Sequence, residues 1–458
     1  MKNILLMLIN NYMKSNEKKS NSYRVDSYFI DSNNSAWTSC DALCWNVKNL
    51  RNYANFIIRK EFFENKKYLN YNFIQKNLQT ERPDCYSKLP TKLAQAVLRE
   101  LDQNWKSFFA LIKEYRKNPK KFLGVPKPPS YKDKLIGRQG VSFNIQTISV
   151  PWLRENILKL SSLDFLIKLR LFESVDSDGV VTYHCDPNLR DVSVLPFNDG
   201  YLIMTKYLDI KQKVQVDKGY AAGIDLGVKN LAAIATNNKE FSQLLVPGGP
   251  LLSMNALFNK RLSKLRSELD LNNTKRGKKR IKRLIKKLCR KRSFRLKNLL
   301  HTVTKEVANQ LVSAGVTHLI VGKNIGWKQE VNLGKKTNQN FINIPHAKFI
   351  EILKYKWEKT GRTFETTEES YTSKCSFLDK EEICKHESYK GNRKTRGLFV
   401  TEKGYKMNAD INGGGNILRK GISNAFDLWS NEDLIKGFVV SPRRLKMSKS
   451  VTTLQLKF

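Results

Sequence analysis

The sequence predicts the class α/β plus β-barrel: an α/β core preceded by a small β-barrel that a helical segment interrupts. Three observations carry this. From residue 218 onward short apolar runs alternate with long amphipathic stretches, as strands and helices of an α/β layer do. Residues 140–216 instead alternate apolar and polar with period two, and the most regular helical pattern of the chain lies ahead of them at 91–117. At 458 residues, 40% hydrophobic and 10% aromatic, the chain is long enough for two or three cores.

In order along the chain, Lys2-Asn-Ile-Leu-Leu-Met-Leu-Ile9 is an apolar run too short for a secretory signal, and no small-residue cleavage site follows it. Met13 then opens a Ser/Lys/Asn-rich stretch, so the first twelve residues read either as a mobile extension or as a mis-assigned start, and residues 1–22 together as a mobile extension. No stretch approaches the roughly 20 apolar residues of a membrane span. Seven scattered cysteines without secreted-protein spacing imply a reducing, cytoplasmic setting.

Tyr28-Phe-Ile30 reads as a strand and residues 36–58 as a helix, with Cys40 and Cys44 on one face as core residues and not metal ligands. In the helix at 91–117, Leu93, Val97, Leu98, Leu101, Trp105, Phe108, Phe109 and Ile112 recur at three and four residues, and Pro119 stops it. Pro126-Lys-Pro-Pro-Ser-Tyr-Lys132 is an extended basic strap. Asn198-Asp-Gly200, between two alternating runs, is a hairpin turn. The expected domains are a barrel from 23–48 and 133–217, a helical insertion at 49–132, a core from 218–372 and 405–430, a small insertion at 373–404 and a disordered basic tail at 431–458.

Two carboxylates stand out in the core. Asp225 lies in Tyr220-Ala-Ala-Gly-Ile-Asp225-Leu-Gly-Val-Lys-Asn230-Leu-Ala-Ala-Ile-Ala-Thr236, two short buried strands around a glycine-containing turn. Asp410 lies in Lys406-Met-Asn-Ala-Asp410-Ile-Asn-Gly-Gly-Gly-Asn416, where a turn leads into a helix beginning near the glycines. Taken singly, Asp225 is a turn residue and Asp410 a helix N-cap; held together on rigid edges, they converge on divalent metal. The helices at 251–269 and 278–312, the strand at 317–322, the helix at 345–359 and the strand at 362–367 complete the alternation of a ribonuclease H-like core. In the helix at 278–312, Ile281, Leu284, Ile285 and Leu288 form the apolar stripe and the other face is almost wholly Lys and Arg.

Lys and Arg outnumber Asp and Glu by 82 to 42, a net charge of +40 spread along the whole chain. A polyanion is the expected partner, and an extended nucleic-acid channel fits such spread better than a membrane patch does.

Four stretches resemble the TnpB (OrfB) family of transposon-encoded RNA-guided nucleases, relatives of the compact type V CRISPR effectors. They are the helix from Leu89-Pro-Thr-Lys to Trp105-Lys-Ser-Phe-Phe109, Gly223-Ile-Asp225-Leu-Gly-Val-Lys-Asn-Leu231, Val321-Gly-Lys-Asn-Ile-Gly-Trp-Lys328-Gln329, and Asn408-Ala-Asp410-Ile-Asn-Gly413. The resemblance implies a RuvC-type nuclease with Asp225 as first and Asp410 as third catalytic acid. Where the family's usual pattern has a middle Glu, this sequence has Gly322. A lineage with Gly-Lys-Asn there carries a displaced Glu on the next strand, which implies Glu369 here, with Glu368 as alternate because strand alternation turns only one inward. Such an acid triad holds two Mg²⁺ ions roughly 3.5–4 Å apart for phosphodiester hydrolysis.

The resemblance further implies a guide RNA, a double-stranded target DNA with a short flanking motif, and a prokaryotic cytoplasmic setting, nucleoid-associated when on DNA. Lys279, Lys282, Lys286, Arg290 and Lys328 are the expected nucleic-acid contacts. Cys375, Cys384 and His386, without a CxxC pair, point to a degenerate, zinc-free version of the family's finger, in which Lys385, Lys390, Arg393, Lys394 and Arg396 contact nucleic acid. A nuclease-dead DNA-binding repressor and a CRISPR effector remain as alternatives, and the oligomeric state is open.

Overall fold

The structure, a computed structural model, describes residues 22–161, 163–170, 172–175, 181–184, 188–209, 219–323, 344–439 and 441–446. The N-terminal extension at 1–21 and Lys328 lie outside the described residues. The chain divides into two units, Met1–Ile210 and Lys211–Phe458.

In the first unit β1 (Ser22–Ile30) leads into α1 (Trp37–Glu64), then α2 (Tyr71–Glu81) and α3 (Thr91–Lys117). The expected helix at 91–117 is present with those bounds, and its stripe of Leu93, Val97, Leu98, Leu101 and Trp105 is buried. The Trp105 indole donates to Asn55 Oδ1 across a buried 3.0 Å bond to α1. The basic strap is an extended segment docked by polar side chains of α1: Lys48, Arg51, Asn52 and Asn55 donate to the carbonyls of Lys134, Ser130, Lys132 and Pro129 at 2.8–2.9 Å. A chain rich in proline cannot satisfy its carbonyls in a ladder, so α1 supplies donors one by one. That explains why α1 runs unbroken across the expected boundary at residue 48: the same helix serves the sheet and the strap.

The remaining strands of this unit are β2 (Val141–Asn144), β3 (Ile157–Lys159), β4 (Leu166–Lys168), β5 (Phe172–Val175), β6 (Val181–His184), β7 (Leu189–Phe197) and β8 (Gly200–Asp209). They form an antiparallel sheet in the order β1-β8-β7-β2 and two separate hairpins, β3-β4 and β5-β6. The expected barrel is therefore not closed among the described residues. The Asn198-Asp-Gly200 hairpin is present, with Asn198 at φ +52°.

The second unit is built on β9 (Tyr220–Asp225), β10 (Asn230–Thr236), β11 (Leu244–Pro247), α4 (Gly249–Leu271), α5 (Lys275–Ser313), β12 (Val316–Gly322), α6 (His346–Lys359) and β13 (Thr363–Thr367). A three-stranded insertion follows, β14 (Asn392–Thr395), β15 (Leu398–Val400) and β16 (Lys406–Asn408), then α7 (Ala409–Gly421), α8 (Asn431–Val439) and β17 (Arg443–Arg444). The sheet order is β13-β12-β9-β10-β11-β17, with β10 the strand antiparallel to the rest. This is the α/β core expected from the alternation. Gly315, at φ +70°, ends α5 as the expected left-handed cap.

One sheet face packs Ile224, Leu319, Val321, Leu244 and Val246 against Leu300, Val303 and Val307 of α5 and Phe349, Leu353 and Trp357 of α6. The other packs Ala221, Ala233, Leu245 and Ile320 under Ile417 and Leu418 of α7 and under Phe377 and Phe438. The small residues on this second face let α7 lie unusually low on β9: a Cβ at Gly223 would run into the Gly414 carbonyl oxygen, and would also stand 2.7 Å from Leu418 N. Helix α7 starts at Ala409, ahead of its glycines and not at them.

The tail expectation is overturned for 431–446. Residues 431–439 are helical, burying Leu434 and Phe438, and residues 443–444 add a parallel strand to the edge of β11 with Leu445 buried behind it. Apolar anchors spaced within a basic segment were enough to fold it.

Because backbone atoms on both sides meet Gly223, neither side can give way to a methyl group. Gly223→Ala is expected to cost about 2–4 kcal/mol of stability, read as a drop in urea midpoint at unchanged slope.

Candidate active site

Asp225 is the last residue of β9 and pairs with Ala233 across β10. Its neighbour on the other side is the end of β12, where Val321 pairs with Ile224. The carboxylate thus stands at the carboxyl end of the central parallel strands, where successive backbones diverge and leave a crevice. Gly413 of α7 lies over it: a Cβ there would be 2.7 Å from Asp225 Oδ2. Behind the turn that follows, the buried His346 ring donates from Nε2 to the Gly227 carbonyl at 3.0 Å.

Asp410 enters from α7. The N-cap is Asn408, whose side chain accepts from Asp410 N and Ile411 N at 3.0 and 3.2 Å, so Asp410 is freed from the capping role its position suggested. Its carboxylate sits in the first helical turn, where the helix dipole favours a negative charge. Oδ2 accepts from the Asn230 amide at 2.8 Å and Oδ1 pairs with Arg393 at 2.8 Å.

Gly322 ends β12 beside Asp225, and Glu369 fills the space a side chain there would take: a Cβ on Gly322 would meet Glu369 Cγ and Oε1 at 2.5 Å. Glu368 points elsewhere, bonded to Ser370 and paired with Lys420 at 3.4 Å. The loop carrying Glu369 is tied to α7 through two buried asparagines. Asn416 donates to the carbonyls of Thr372 and Cys375, and Asn412 bonds both Cys375 and Phe377. Helix and loop are therefore bonded to one another, the one carrying Asp410 and the other Glu369.

Asp225, Glu369 and Asp410 line one cleft of about 790 Å³, together with Lys229, Asn230, Arg393, Arg396 and Arg444. Burial pushes the Asp225 carboxyl well above the usual range, and the nearby charges of Glu369 and Asp410 add to it against the pull of Arg393. Burial, with Glu368 adding, raises Glu369 to about 7. The donors are all oxygens, carboxylate and amide, the set that Mg²⁺ takes. Among the described residues no three acidic, histidine or cysteine side chains stand close enough to enclose one ion as they lie. Each Asp410 oxygen spends one of its lone pairs on Arg393 or Asn230 and keeps another.

Arg393 was foreseen as a contact of the insertion with nucleic acid, not as a partner of Asp410. The hint was positional: β14 and β16 flank β15, so the cationic turn after β14 returns beside Asn408. Of the candidate zinc ligands, Cys375 is buried with its thiol on the Cys384 carbonyl, and Cys384 lies 3.4 Å from His386 Nε2. The insertion's loops are joined instead by the buried Glu381 carboxylate, which accepts from Ser376 N and Lys390 N at 2.6 and 2.9 Å. On α5, Lys279, Lys282 and Lys286 are exposed and Arg290 is half-buried; Leu284, expected in the apolar stripe, is 40% exposed.

The "Probable transposase" family model of the OrfB type matches residues 205–328, and the Cas12f1-like TNB domain model matches residues 346–417. A TnpB-like protein of Acidianus two-tailed virus is 23% identical over 401 residues, 81% of each chain. Among solved structures, a Cas12f1 in complex with sgRNA and target DNA is similar over 87% of this chain and 100% of that one, at 16% identity and TM-score 0.34. The mini-RNA-guided endonuclease Cas-phi3 is similar over 90% of this chain and 94% of that one, at 10% identity and TM-score 0.48. The sequence similarity is thus to OrfB-type transposases over one segment, to the Cas12f1-like TNB domain over another, and to a TnpB-like protein over most of the chain.

The raised carboxyls carry a stability prediction. A carboxyl whose folded pKa exceeds its unfolded value favours folding when protonated, so its cost appears as pH rises above the unfolded value of about 4.3 and is complete above the folded one, about 7 for Glu369. With EDTA present, Glu369→Gln is expected to raise Tm by a few degrees at pH 8 and to change it little at pH 4. Equal effects at both pH values would show that the gain is not electrostatic.

Proposed function

We propose that this TnpB-like chain is a transposon-associated, RNA-guided DNA endonuclease with a RuvC-like site formed by Asp225, Glu369 and Asp410. The observation that carries the proposal is the exchange at β12: the glycine where the family's pattern has a Glu lies directly beneath the Glu369 side chain. A site that had lost its middle acid would leave that space to solvent or to an apolar group. For this reason the repressor reading, which rests on Gly322 alone, is the weaker one.

In the proposed reaction the cleft's cations Lys229, Arg393 and Arg396 take the phosphates of the strand to be cut. The three carboxylates would hold the divalent cation at the end of β9, with the Asn230 amide bonded to Asp410 and the Asn408 cap seating the helix turn that carries it. Mg²⁺, if so held, would supply the chemistry of water activation and of charge stabilisation on the departing sugar oxygen. The new P–O bond forms from the water oxygen as the bond to that sugar oxygen breaks. Burial raises Glu369 to about 7, so a cation bound beside it would favour its ionised form near neutral pH.

Sequence choice is assigned to base pairing with a guide RNA, with the protein contacting backbone and a short flanking motif. Helix α5 supports this division. No acidic residue occurs between Asp270 and Glu306, so its exposed Lys and Arg have no i,i+4 partners along the helix to neutralise them. A CRISPR effector using array RNA would share every one of these features, and sequencing the copurifying RNA separates the two.

Asp225→Ala, Asp410→Ala and Glu369→Gln are each expected to abolish Mg²⁺-dependent cleavage of a guide-matched DNA while changing RNA affinity by less than about twofold, since they hold metal and not phosphate; Glu368→Gln is expected to be mild. Full cutting by either Asp mutant overturns the assignment. Replacing Lys279, Lys282, Lys286 and Arg290 with Gln is expected to flatten the plot of log affinity against log salt by up to about 0.7–0.9 per lost contact. An unchanged slope for both guide RNA and target DNA would show the face to be merely solvated.

A further inference from the structure

The C-terminal strand carries a residue into the same cleft. Across the sheet, Asp225 pairs with Ala233, Ala233 with Leu245, and Leu245 with Arg444, so the catalytic carboxylate and the Arg444 guanidinium share one rung over four strands. Paired residues project to the same face, and burial agrees: Ala233 and Leu245 belong to the core under α7, whereas Leu445 packs on the opposite face. Arg444 is exposed, lines the cleft, and has neither an ion pair nor a hydrogen bond through its side chain among the described residues. Its neighbour behaves differently: Arg443 donates to Gln310 at 2.7 Å and stacks over Phe241.

The strand is firmly seated. Arg443 N and Leu445 N each donate to β11 carbonyls or their flank, Gln243 and Leu245, at 2.8 Å, and Leu445 is 4% exposed. Covering the exposed edge of β11 is reason enough for a strand to be there. It is no reason for arginine at 444, where the side chain contributes nothing to the seating.

We infer that Arg444 binds a backbone phosphate of the strand being cut, several nucleotides from the reacting phosphodiester. This deepens the nuclease reading of the same cleft and rests on it. Three strand spacings place the two Cα atoms about 14 Å apart. At about 3.4 Å per nucleotide along one stacked strand, that is roughly four nucleotides. The C-terminal strand would thus fix the direction in which the substrate leaves the acids, along the cleft past Lys229 and Pro247 toward the β11 edge of the sheet.

The test uses the full chain with its copurified RNA and a guide-matched single-stranded DNA. In an Asp225→Ala background, adding Arg444→Gln is expected to reduce the salt slope of DNA binding by about 0.7, the value of one contact on a single strand, and Arg444→Lys to restore it. In the otherwise native protein, Arg444→Gln is expected to slow cleavage about 3–10-fold at subsaturating DNA, with recovery at saturating DNA. An unchanged slope and unchanged cleavage overturn the inference. A slope lost together with a fall in Tm, and not restored by Lys, overturns it too, because it assigns the effect to the strand and not to the charge. If the native protein cuts nothing but Arg444→Gln still flattens the slope, the nuclease reading fails while the phosphate contact stands.

Discussion

The close approach of α7 to β9 is the contact on which the site depends. Asp225 ends a strand and Asp410 begins a helix, so the distance between them is the distance between those two backbones. Glycine at 223 and 414 removes the side chains that would separate them, and glycine at 413 leaves room for the Asp225 carboxylate itself. Three consecutive glycines weaken a helix by about 1 kcal/mol each relative to alanine. Tertiary packing offsets this: every residue from Ile411 to Leu418 is buried. A helix that would be marginal alone is held by the surface that needs it close.

That proximity creates an electrostatic cost the rest of the unit tempers. Burial pushes both Asp225 and Glu369 toward neutrality, the charges of Glu369 and Asp410 add to the shift at Asp225 and that of Glu368 to the shift at Glu369, and Arg393 offsets only part of the effect on Asp225. The insertion bearing Arg393 is braced by Glu381 and by the Asn412 and Asn416 bonds. The cationic turn, the Glu369 loop and α7 are therefore one polar assembly laid on the sheet. A nucleic-acid phosphate brought near it would meet cations already held in place, which spares the ordering cost that flexible side chains would pay.

Much of this was legible in the sequence, for reasons that differ from element to element. The helix at 91–117 and the strand–helix alternation of the core follow from apolar spacing, which packing then rewards. Asp225 and Asp410 were legible because each lies where a short apolar run meets glycine. What the sequence left open at Asp410, a capping role, is taken by Asn408 two residues earlier, which accepts from the same donors. The folded C-terminal segment was hidden because its anchors, Leu434, Phe438 and Leu445, are too few to show periodicity; what fixes Arg443 and Arg444 is the bare edge of β11, a feature of the sheet and not of the tail. Arg393 was read as a cation for nucleic acid, but its contact with Asp410 depends on how β14, β15 and β16 fold back, a non-local fact.

The glycine at 322 shows how a residue can be lost from one strand and its role proposed for the next. Strand β12 lies between β9 and β13, so a carboxylate from the end of either neighbour reaches the same point if the central position is empty. With a side chain at 322, Glu369 would be excluded by a contact of 2.5 Å; with Glu369 in place, any residue larger than glycine is excluded in turn. The two arrangements are mutually exclusive, which makes the pair, and not either position alone, the unit that keeps an acid beside Asp225. It follows that Gly322→Glu in this chain would not simply add an acid to the cleft but would set two carboxylates against each other in one space, at a cost in packing and in charge that neither single acid bears.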